Sequence, residues 1–170
     1  MASKFIVDVL RNIEEQESAL GSLTFDRQAP HYLKDGLEPL RPRWRLSGVY
    51  LLTKPQVPDW RVPLEESNAE LWYIGMTTAN LFDRIDQHFG RPATGDAASY
   101  RHRWANVAMP TDISKCLATG EVVVYPIGVS LGPTSLTESQ RYLLPSVVEK
   151  KLLVAYVDRF GALPPLNLSM

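Results

Sequence analysis

The chain has 170 residues, is 45% hydrophobic and carries a formal net charge of −1 at pH 7. This length supports one well-buried core and is short for two, so we expect a single globular domain with extensions. The near-neutral charge excludes a globally basic protein that coats nucleic acid, so any nucleic-acid affinity must come from local patches. Cys116, the sole cysteine, excludes an internal disulfide and a multi-cysteine zinc site and is typical of a reduced, cytoplasmic setting. The charged N-terminus lacks the apolar run of a signal peptide or membrane span, so no membrane association is expected.

The N-terminal part is predicted to form an extension. Apolar residues recur at helical spacing from Lys4 to about Leu20, which predicts a helix. The stretch from Gly21 to Pro42 is rich in proline and glycine, so we expect a loop-rich arm that wraps the domain. We therefore assign residues 1–45 to a helix and arm packed on the domain, and residues 46–170 to the domain itself.

The sheet is predicted from three runs of β-branched, aromatic and apolar residues. The runs 48–53 and 71–75 are joined by a proline-rich segment without helical pattern, which favours an antiparallel hairpin with an enlarged loop. A third run, from Glu121 to Val129, can complete the sheet. The prediction is an α+β fold with a small, mainly antiparallel three-stranded sheet flanked by helices.

Two helices follow the hairpin. The first begins after Thr77 and Thr78, whose hydroxyls can cap free amides, and ends at Gly90. The second runs from about Thr137 to Phe160, with a kink or break expected at Pro145.

Glu149 lies on the apolar face of the second helix. At about 100° per residue it falls between Val148 and Leu153, whereas Lys150 and Lys151 fall on the opposite side. An ionised carboxylate among apolar side chains costs several kcal/mol unless a cation or a set of donors compensates it. From this helix alone, a salt bridge to a buried arginine and a metal ion explain the position equally well.

Arg84 and His88 on the first helix are four residues apart and therefore share a face. A fixed cation beside an imidazole at the margin of the core is a plausible anion site. Taken alone, the helix is better explained as an ordinary amphipathic one whose arginine pairs with Asp83 or Asp86.

The order of these residues and elements resembles the GIY-YIG nuclease superfamily. Gly48-Val49-Tyr50 corresponds to the first tripeptide of its name, with a common valine substitution, and Tyr73-Ile74-Gly75 matches the second. The remaining matched positions, on the following helix, a later helix and the C-terminal segment, are Arg84, His88, Glu149 and Asn167. The hairpin loop and the stretch between His88 and Glu149 are longer than in a minimal member, which indicates insertions.

The resemblance implies a metal-dependent mechanism. Glu149 would be the sole protein ligand of one Mg²⁺, for which Mn²⁺ could substitute, and a single carboxylate suits Mg²⁺ because that ion keeps several waters. Arg84 would neutralise charge that develops on the phosphate.

The resemblance implies that the two tyrosines activate and orient the attacking water. Tyr50 would activate it once its pKa is depressed, His88 could accept that proton, and Tyr73 would orient water or phosphate. Gly75 would allow backbone or substrate to approach closely, and Asn167 completes the expected catalytic set. For each tyrosine alone, a cross-strand aromatic pair is the better explanation.

Two clusters combine arginines with aromatic residues. They are candidates for binding phosphates and stacking on bases. Alternatively, the arginines pair with surface carboxylates and the tryptophans pack at the edge of the core. The candidate nucleic-acid-binding residues are Arg41, Arg43, Trp44, Arg45, Arg101, Arg103 and Trp104.

The sequence thus predicts an endonuclease that hydrolyses phosphodiester bonds, in DNA rather than RNA, of a restriction-like or mobile-element type. As a homodimer it could cut both strands. The first alternative is a catalytically inactive GIY-YIG-like domain that binds nucleic acid or protein through Trp44 and Trp104. The second is an unrelated α/β domain in which Glu149 closes a structural salt bridge with Arg84.

Overall fold

The computed structural model of the protein describes residues 2–16, 23–42, 44–56, 60–89, 103–104, 106–132 and 137–168. The fold is α+β. Its elements are, in chain order, α1 (Ala2–Gln16), β1 (Leu23–Arg27), β2 (His31–Tyr32), β3 (Gly48–Thr53), β4 (Leu71–Thr77), α2 (Leu81–Phe89), α3 (Thr111–Thr119), β5 (Val123–Leu131), α4 (Glu138–Tyr142) and α5 (Leu144–Phe160). No helix in these parts of the chain is long and apolar enough to cross a membrane.

The sheet is antiparallel throughout, in the order β1-β5-β3-β4, with β2 also paired to β5. The predicted hairpin of β3 and β4 and its completion by the third run are confirmed. The prediction of three strands is wrong, because the sheet has five. The two additional strands come from the arm, whose prolines and glycines permit only short extended segments, yet these find backbone partners along β5.

Each face of the sheet carries a hydrophobic core. On one face α1 and α5 pack through Ile6, Leu10 and Leu152 against side chains such as Val49 and Ile74. The other face is covered by α2, α3 and the residues around Trp44 and Trp104. The strand β3 is buried at every position, which explains its continuous apolar run. The N-terminal helix and arm therefore share core and sheet with the residues that follow them.

The helix ends follow local sequence signals, with one difference. Asn80, rather than a threonine, caps α2, since its Oδ1 accepts the Asp83 N–H at 2.7 Å. The predicted break at Pro145 is confirmed, because α4 ends at Tyr142 and α5 starts at Leu144. Gly161 ends α5 with a φ of 76°, a conformation that glycine adopts without strain.

Candidate active site

Four rings meet between the sheet and α2, at the edge strand β4. The centroids of Tyr50 and Tyr73 are 5.8 Å apart, and His88 lies 5.7 Å from Tyr50 and 5.8 Å from Tyr73. Trp104 closes the group at 5.1 Å from Tyr73 and 5.4 Å from His88. Two strands, a helix and a residue from the stretch after α2 thus build one cluster.

Gly75 makes this cluster possible. It is the cross-strand partner of Tyr50, and a Cβ there would overlap Cε1 of Tyr73 and come within 2.7 Å of the Tyr50 hydroxyl oxygen. The glycine of the second tripeptide therefore makes room for two phenols. The close approach predicted at this position is real, but the neighbours are tyrosine rings and not substrate.

Arg103 joins the rings through its guanidinium. Nη1 lies 3.2 Å from His88 Nε2 and 3.3 Å from the hydroxyl of Tyr73. The backbone N–H of Arg103 also donates to the carbonyl of His88 at 2.9 Å. His88 Nδ1 in turn lies 3.0 Å from the hydroxyl of Tyr50. A continuous hydrogen-bonded network therefore links the cation to both tyrosines.

The environment of Tyr50 in the protein alone opposes the water-activating role predicted for it. Burial raises its pKa well above 10.0, assisted by Tyr73, and the opposing effects of Arg84 and Arg103 are too small to reverse the shift. Its side chain is 0% exposed. Water activation by Tyr50 stays a prediction, since it requires a bound cation to depress this pKa and access for water to a buried hydroxyl.

The pKa of Tyr73 is affected by Glu149 as well as by the arginines. Tyr73 is 6% exposed, and burial raises its pKa while Arg103 lowers it and Glu149 raises it. A hydrogen bond with Tyr50 lowers the pKa of Tyr73 further. Of the two tyrosines, only Tyr73 has a pKa that responds to Glu149.

Glu149 is half-buried on α5, as its helical phase predicted. Burial raises the pKa of its carboxyl group, whereas Lys150, Arg84 and Arg103 lower it. Among the described residues, its carboxylate has no hydrogen-bond or ion-pair partner. The salt bridge between Glu149 and Arg84 required by the second alternative is not formed.

Arg84 is a second charge that lacks a partner. Within the described ranges it makes no ion pair, so the pairing with Asp83 or Asp86 that an ordinary amphipathic helix would show is absent. Its charge lowers the pKa of Tyr50, His88 and Glu149. The guanidinium therefore lies in the electrostatic environment of the cluster while its donors stay available.

The donor set decides which metal could be held here. The described residues contain no group of three or more His, Cys, Asp or Glu side chains close enough to hold an ion. Zinc and calcium sites built wholly from protein ligands do not fit. Mg²⁺ does, since it is commonly held by one or two carboxylates with substrate phosphate and water completing the shell, and Glu149 offers one such carboxylate.

Asn167 lies outside the charged cluster. Its Oδ1 accepts the N–H of Ile74 at 2.9 Å and its Nδ2 donates to the carbonyl of Ile74 at 2.7 Å. The neighbouring Leu166 also donates its N–H to the Trp72 carbonyl at 2.9 Å. The C-terminal segment thus covers the free edge of β4, and Asn167 positions that strand without facing a reacting group.

Both tryptophans predicted to stack on bases are 1% exposed. Trp44 packs in the core, and the indole N–H of Trp104 donates to the carbonyl of Leu166 at 3.0 Å. The prediction is therefore wrong for Trp44 and Trp104: their rings form the core edge and are not available to bases.

The predicted basic residues have different environments. Arg41 pairs with Glu38 through two contacts of 3.1 Å and lies 4.3 Å over the Phe82 ring, whereas Arg45 is exposed. Arg103 belongs to the ring cluster, a role that sequence reasoning missed. The two remaining candidates, Arg43 and Arg101, lie outside the described residues.

Comparisons of the chain with protein-family models, with curated proteins and with solved structures find no match.

Proposed function

We propose that the protein is a metal-dependent endonuclease of the GIY-YIG type. The observation that carries the proposal is the half-buried, unpaired carboxylate of Glu149 beside the charges of Arg84 and Arg103. Burial removes part of the solvation of this carboxylate, and a bound cation would compensate that cost. A divalent cation together with a phosphodiester supplies both the positive and the negative partner for these groups.

Glu149 would hold Mg²⁺, or Mn²⁺ in its place, together with phosphate oxygens and water. The cation would supply Lewis-acid polarisation of the phosphoryl group. Arg84 would neutralise charge that develops on the non-bridging oxygens, because a guanidinium donates to phosphate in a bidentate manner. Neither Glu149 nor Arg84 has an ion-pair partner within the described ranges.

Tyr73 takes the role in water activation expected earlier of Tyr50. The oxygen of a water molecule would attack phosphorus while the deprotonated Tyr73 oxygen takes the water proton. The bond to the leaving sugar oxygen would break, and that oxygen would take a proton from solvent. In the protein alone burial raises the pKa of Tyr73, so the phenol is protonated at neutral pH. Tyr73 can act as a base only when a bound cation adds to the positive charge of Arg103 and Arg84.

The choice of DNA over RNA and the restriction-like or mobile-element role are proposals that rest on the resemblance alone. A cytoplasmic location is a proposal that rests on the sole cysteine, Cys116. Cutting both strands of a duplex would be served by a homodimer. An inactive domain that binds nucleic acid or protein remains the alternative, although the buried rings of Trp44 and Trp104 do not favour binding through these two residues.

Plasmid cleavage tests the proposal. Supercoiled DNA is incubated with Mg²⁺ or Mn²⁺ and with the native protein, Glu149→Gln, or the matched control Glu138→Gln, which changes an exposed carboxylate on α4. We expect nicked and linear products from the native protein and the control. The reaction of Glu149→Gln should be slower by about 100-fold or more. Equal rates for all three proteins would overturn the proposal. A labelled RNA hairpin in parallel decides between the substrates.

A further inference from the structure

Arg103 lies in the long stretch between α2 and α3 and is not among the two tripeptides and four further residues on which the resemblance depends. We propose that Arg103 is a positioning residue that fixes the tautomer of His88 and thereby directs the hydrogen bonds of the cluster toward the oxygen of Tyr73. The tautomer follows from the structure alone, whereas its consequence for catalysis rests on the proposed function.

The contacts of Arg103 hold it firmly against His88. Its backbone N–H donates to the His88 carbonyl at 2.9 Å, at the end of α2, and its Nη1 lies 3.2 Å from Nε2 of the same residue. The guanidinium also lies 5.2 Å from the ring of Trp104 and 5.7 Å from that of Tyr73. Backbone, ring and cation contacts thus place one N–H group at one ring nitrogen.

The identity of the donor determines the tautomer. An arginine has only N–H donors and stays charged in proteins, so His88 Nε2 must accept through its lone pair. His88 is neutral, because burial, with contributions from Arg84 and Arg103, lowers its pKa to about 3. The single ring hydrogen therefore lies on Nδ1, which is the nearer ring nitrogen to the hydroxyl oxygen of Tyr50, at 3.0 Å against 3.4 Å for Nε2.

The hydrogen bonds then run in one direction. Tyr50 accepts from His88 Nδ1, so its own hydrogen is free to go to Tyr73, and this bond lowers the pKa of Tyr73 while it raises that of Tyr50. The Tyr73 oxygen also accepts from Arg103 Nη1 at 3.3 Å. Two donors therefore converge on Tyr73, which favours negative charge on that phenol. In this arrangement Nδ1 of His88 donates to Tyr50, whereas the sequence analysis expected His88 to accept a proton from Tyr50.

Nitrogen-15 NMR of labelled imidazole rings reads the tautomer without any activity measurement. We expect the Nδ1–H form for His88 in the native protein. His31 is an internal reference for the Nε2–H tautomer. Its Nε2 lies 2.6 Å from the carbonyl oxygen of Gly36, which can only accept a hydrogen bond. His88→Gln and His31→Gln assign the signals.

The decisive variant is Arg103→Met, which keeps much of the side chain's length and removes its donors. We expect the signal of His88 to shift toward the Nε2–H form while that of His31 stays unchanged, and Arg103→Lys to retain the Nδ1–H form. Arg11→Met, at an exposed residue of α1, is the control. An Nε2–H form of His88 in the native protein would overturn the inference, even if Arg103→Met failed to fold. Retention of the Nδ1–H form in a folded Arg103→Met would overturn it equally.

Cleavage assays separate this inference from the proposed function. If the native protein cuts DNA, Arg103→Met should lower kcat by up to about 100-fold, and Arg103→Lys should recover part of the loss. A tautomer change in a protein that cuts no DNA supports the positioning role and rejects the nuclease. An unchanged tautomer in an active Arg103→Met rejects the positioning role alone.

Discussion

The side chain of Asn167 binds both backbone polar atoms of Ile74. It accepts from the N–H at 2.9 Å and donates to the carbonyl at 2.7 Å, and so occupies the place that a further strand would take beside β4. Ile74 stands between Tyr73 and Gly75, the two residues that shape the phenol pair. A contact far along the chain therefore fixes the part of the edge strand on which the candidate site depends.

Replacing Asn167 by alanine should lower the free energy of unfolding by about 1–3 kcal/mol, because a buried N–H and a carbonyl lose their partners. Asn167→Asp should also destabilise, since a carboxylate cannot donate to the Ile74 carbonyl. Urea unfolding measures both. Asn12→Ala, at an exposed position of α1, should change stability by less than about 0.5 kcal/mol. Native-like stability of Asn167→Ala would contradict the role of this contact.

Gly75→Ala should separate the two phenols. The added Cβ would overlap the Tyr73 ring and lie 2.7 Å from Cζ of Tyr50, and such overpacking costs about 1–3 kcal/mol. Gly161→Ala is a matched control, because its φ of 76° makes alanine strained by about 1–2 kcal/mol although no neighbour lies within 4 Å. We expect similar losses of stability, but an altered near-ultraviolet circular dichroism spectrum and lost DNA cleavage for Gly75→Ala alone. Normal cleavage by Gly75→Ala would show that the phenol pair is dispensable.

The sequence predicted correctly those features that depend on residues close together in the chain. The apolar runs of β3 and β4, the break at Pro145 and the half-buried position of Glu149 each depend on residues within a few positions of one another. The strands β1 and β2 were missed because their pairing with β5 joins residues about a hundred positions apart, such as Phe25 and Val129.

The same reason explains the errors at the site. Arg103 lies 15 positions from His88 and 30 from Tyr73, and no periodicity relates residues across such distances. A tryptophan beside arginines has the same pattern whether it faces solvent or the core, so the burial of Trp44 and Trp104 could be decided only by tertiary structure. Tertiary structure likewise decides that burial raises the pKa of both tyrosines and that Glu149 affects the pKa of Tyr73.

The two tyrosines should respond differently to removal of their hydroxyls. Tyr73→Phe should lower kcat for cleavage by about 100-fold or more, which is the range of a general base. Tyr50→Phe removes one of the two donors to Tyr73, so a smaller loss of kcat is expected. It should also cost about 1–3 kcal/mol of stability, because His88 Nδ1–H loses its acceptor. Single-turnover cleavage and urea unfolding test both variants; abolished cleavage in Tyr50→Phe with near-native cleavage in Tyr73→Phe would reverse the assignment.

Glu149→Gln should stabilise the protein in the absence of metal. The folded pKa of Glu149 is raised, so its contribution to stability is present below the unfolded value of 4.5 and is lost as pH rises through the folded pKa. In EDTA at pH 8 the Tm of Glu149→Gln should therefore exceed that of the native protein, and the difference should narrow toward pH 4.5.

Added Mg²⁺ should reverse that order. At ten times its Kd the ion should stabilise the native protein by about 1.4 kcal/mol, from RT ln(1 + [L]/Kd), and should leave Glu149→Gln unaffected. Glu138→Gln should respond to Mg²⁺ as the native protein does. Thermal unfolding with and without the ion measures these shifts, and an equal gain in Tm for Glu149→Gln would place the metal elsewhere.

His88 should make the protein sensitive to mild acid. Its folded pKa of about 3 lies below the ordinary histidine pKa of 6.5, so the unfolded chain binds the proton more readily. The stability contributed by the neutral ring is complete above pH 6.5 and is lost as pH falls from 6.5 toward 3. One proton in this window corresponds to a slope of about 1.4 kcal/mol per pH unit, or a loss of about 2 kcal/mol between pH 7 and pH 5.

His88→Gln removes this titration, so its free energy of unfolding should fall less steeply than that of the native protein between pH 7 and pH 5. Urea unfolding at pH 7, 6 and 5 measures the two curves, and their difference cancels the titration of the carboxylates that both proteins share. Parallel curves would mean that His88 is protonated as easily in the folded protein as in the unfolded chain. A neutral Nδ1–H donor to Tyr50 would then be excluded in mild acid, because the folded ring would carry both hydrogens and Arg103 Nη1 would lose its acceptor at Nε2.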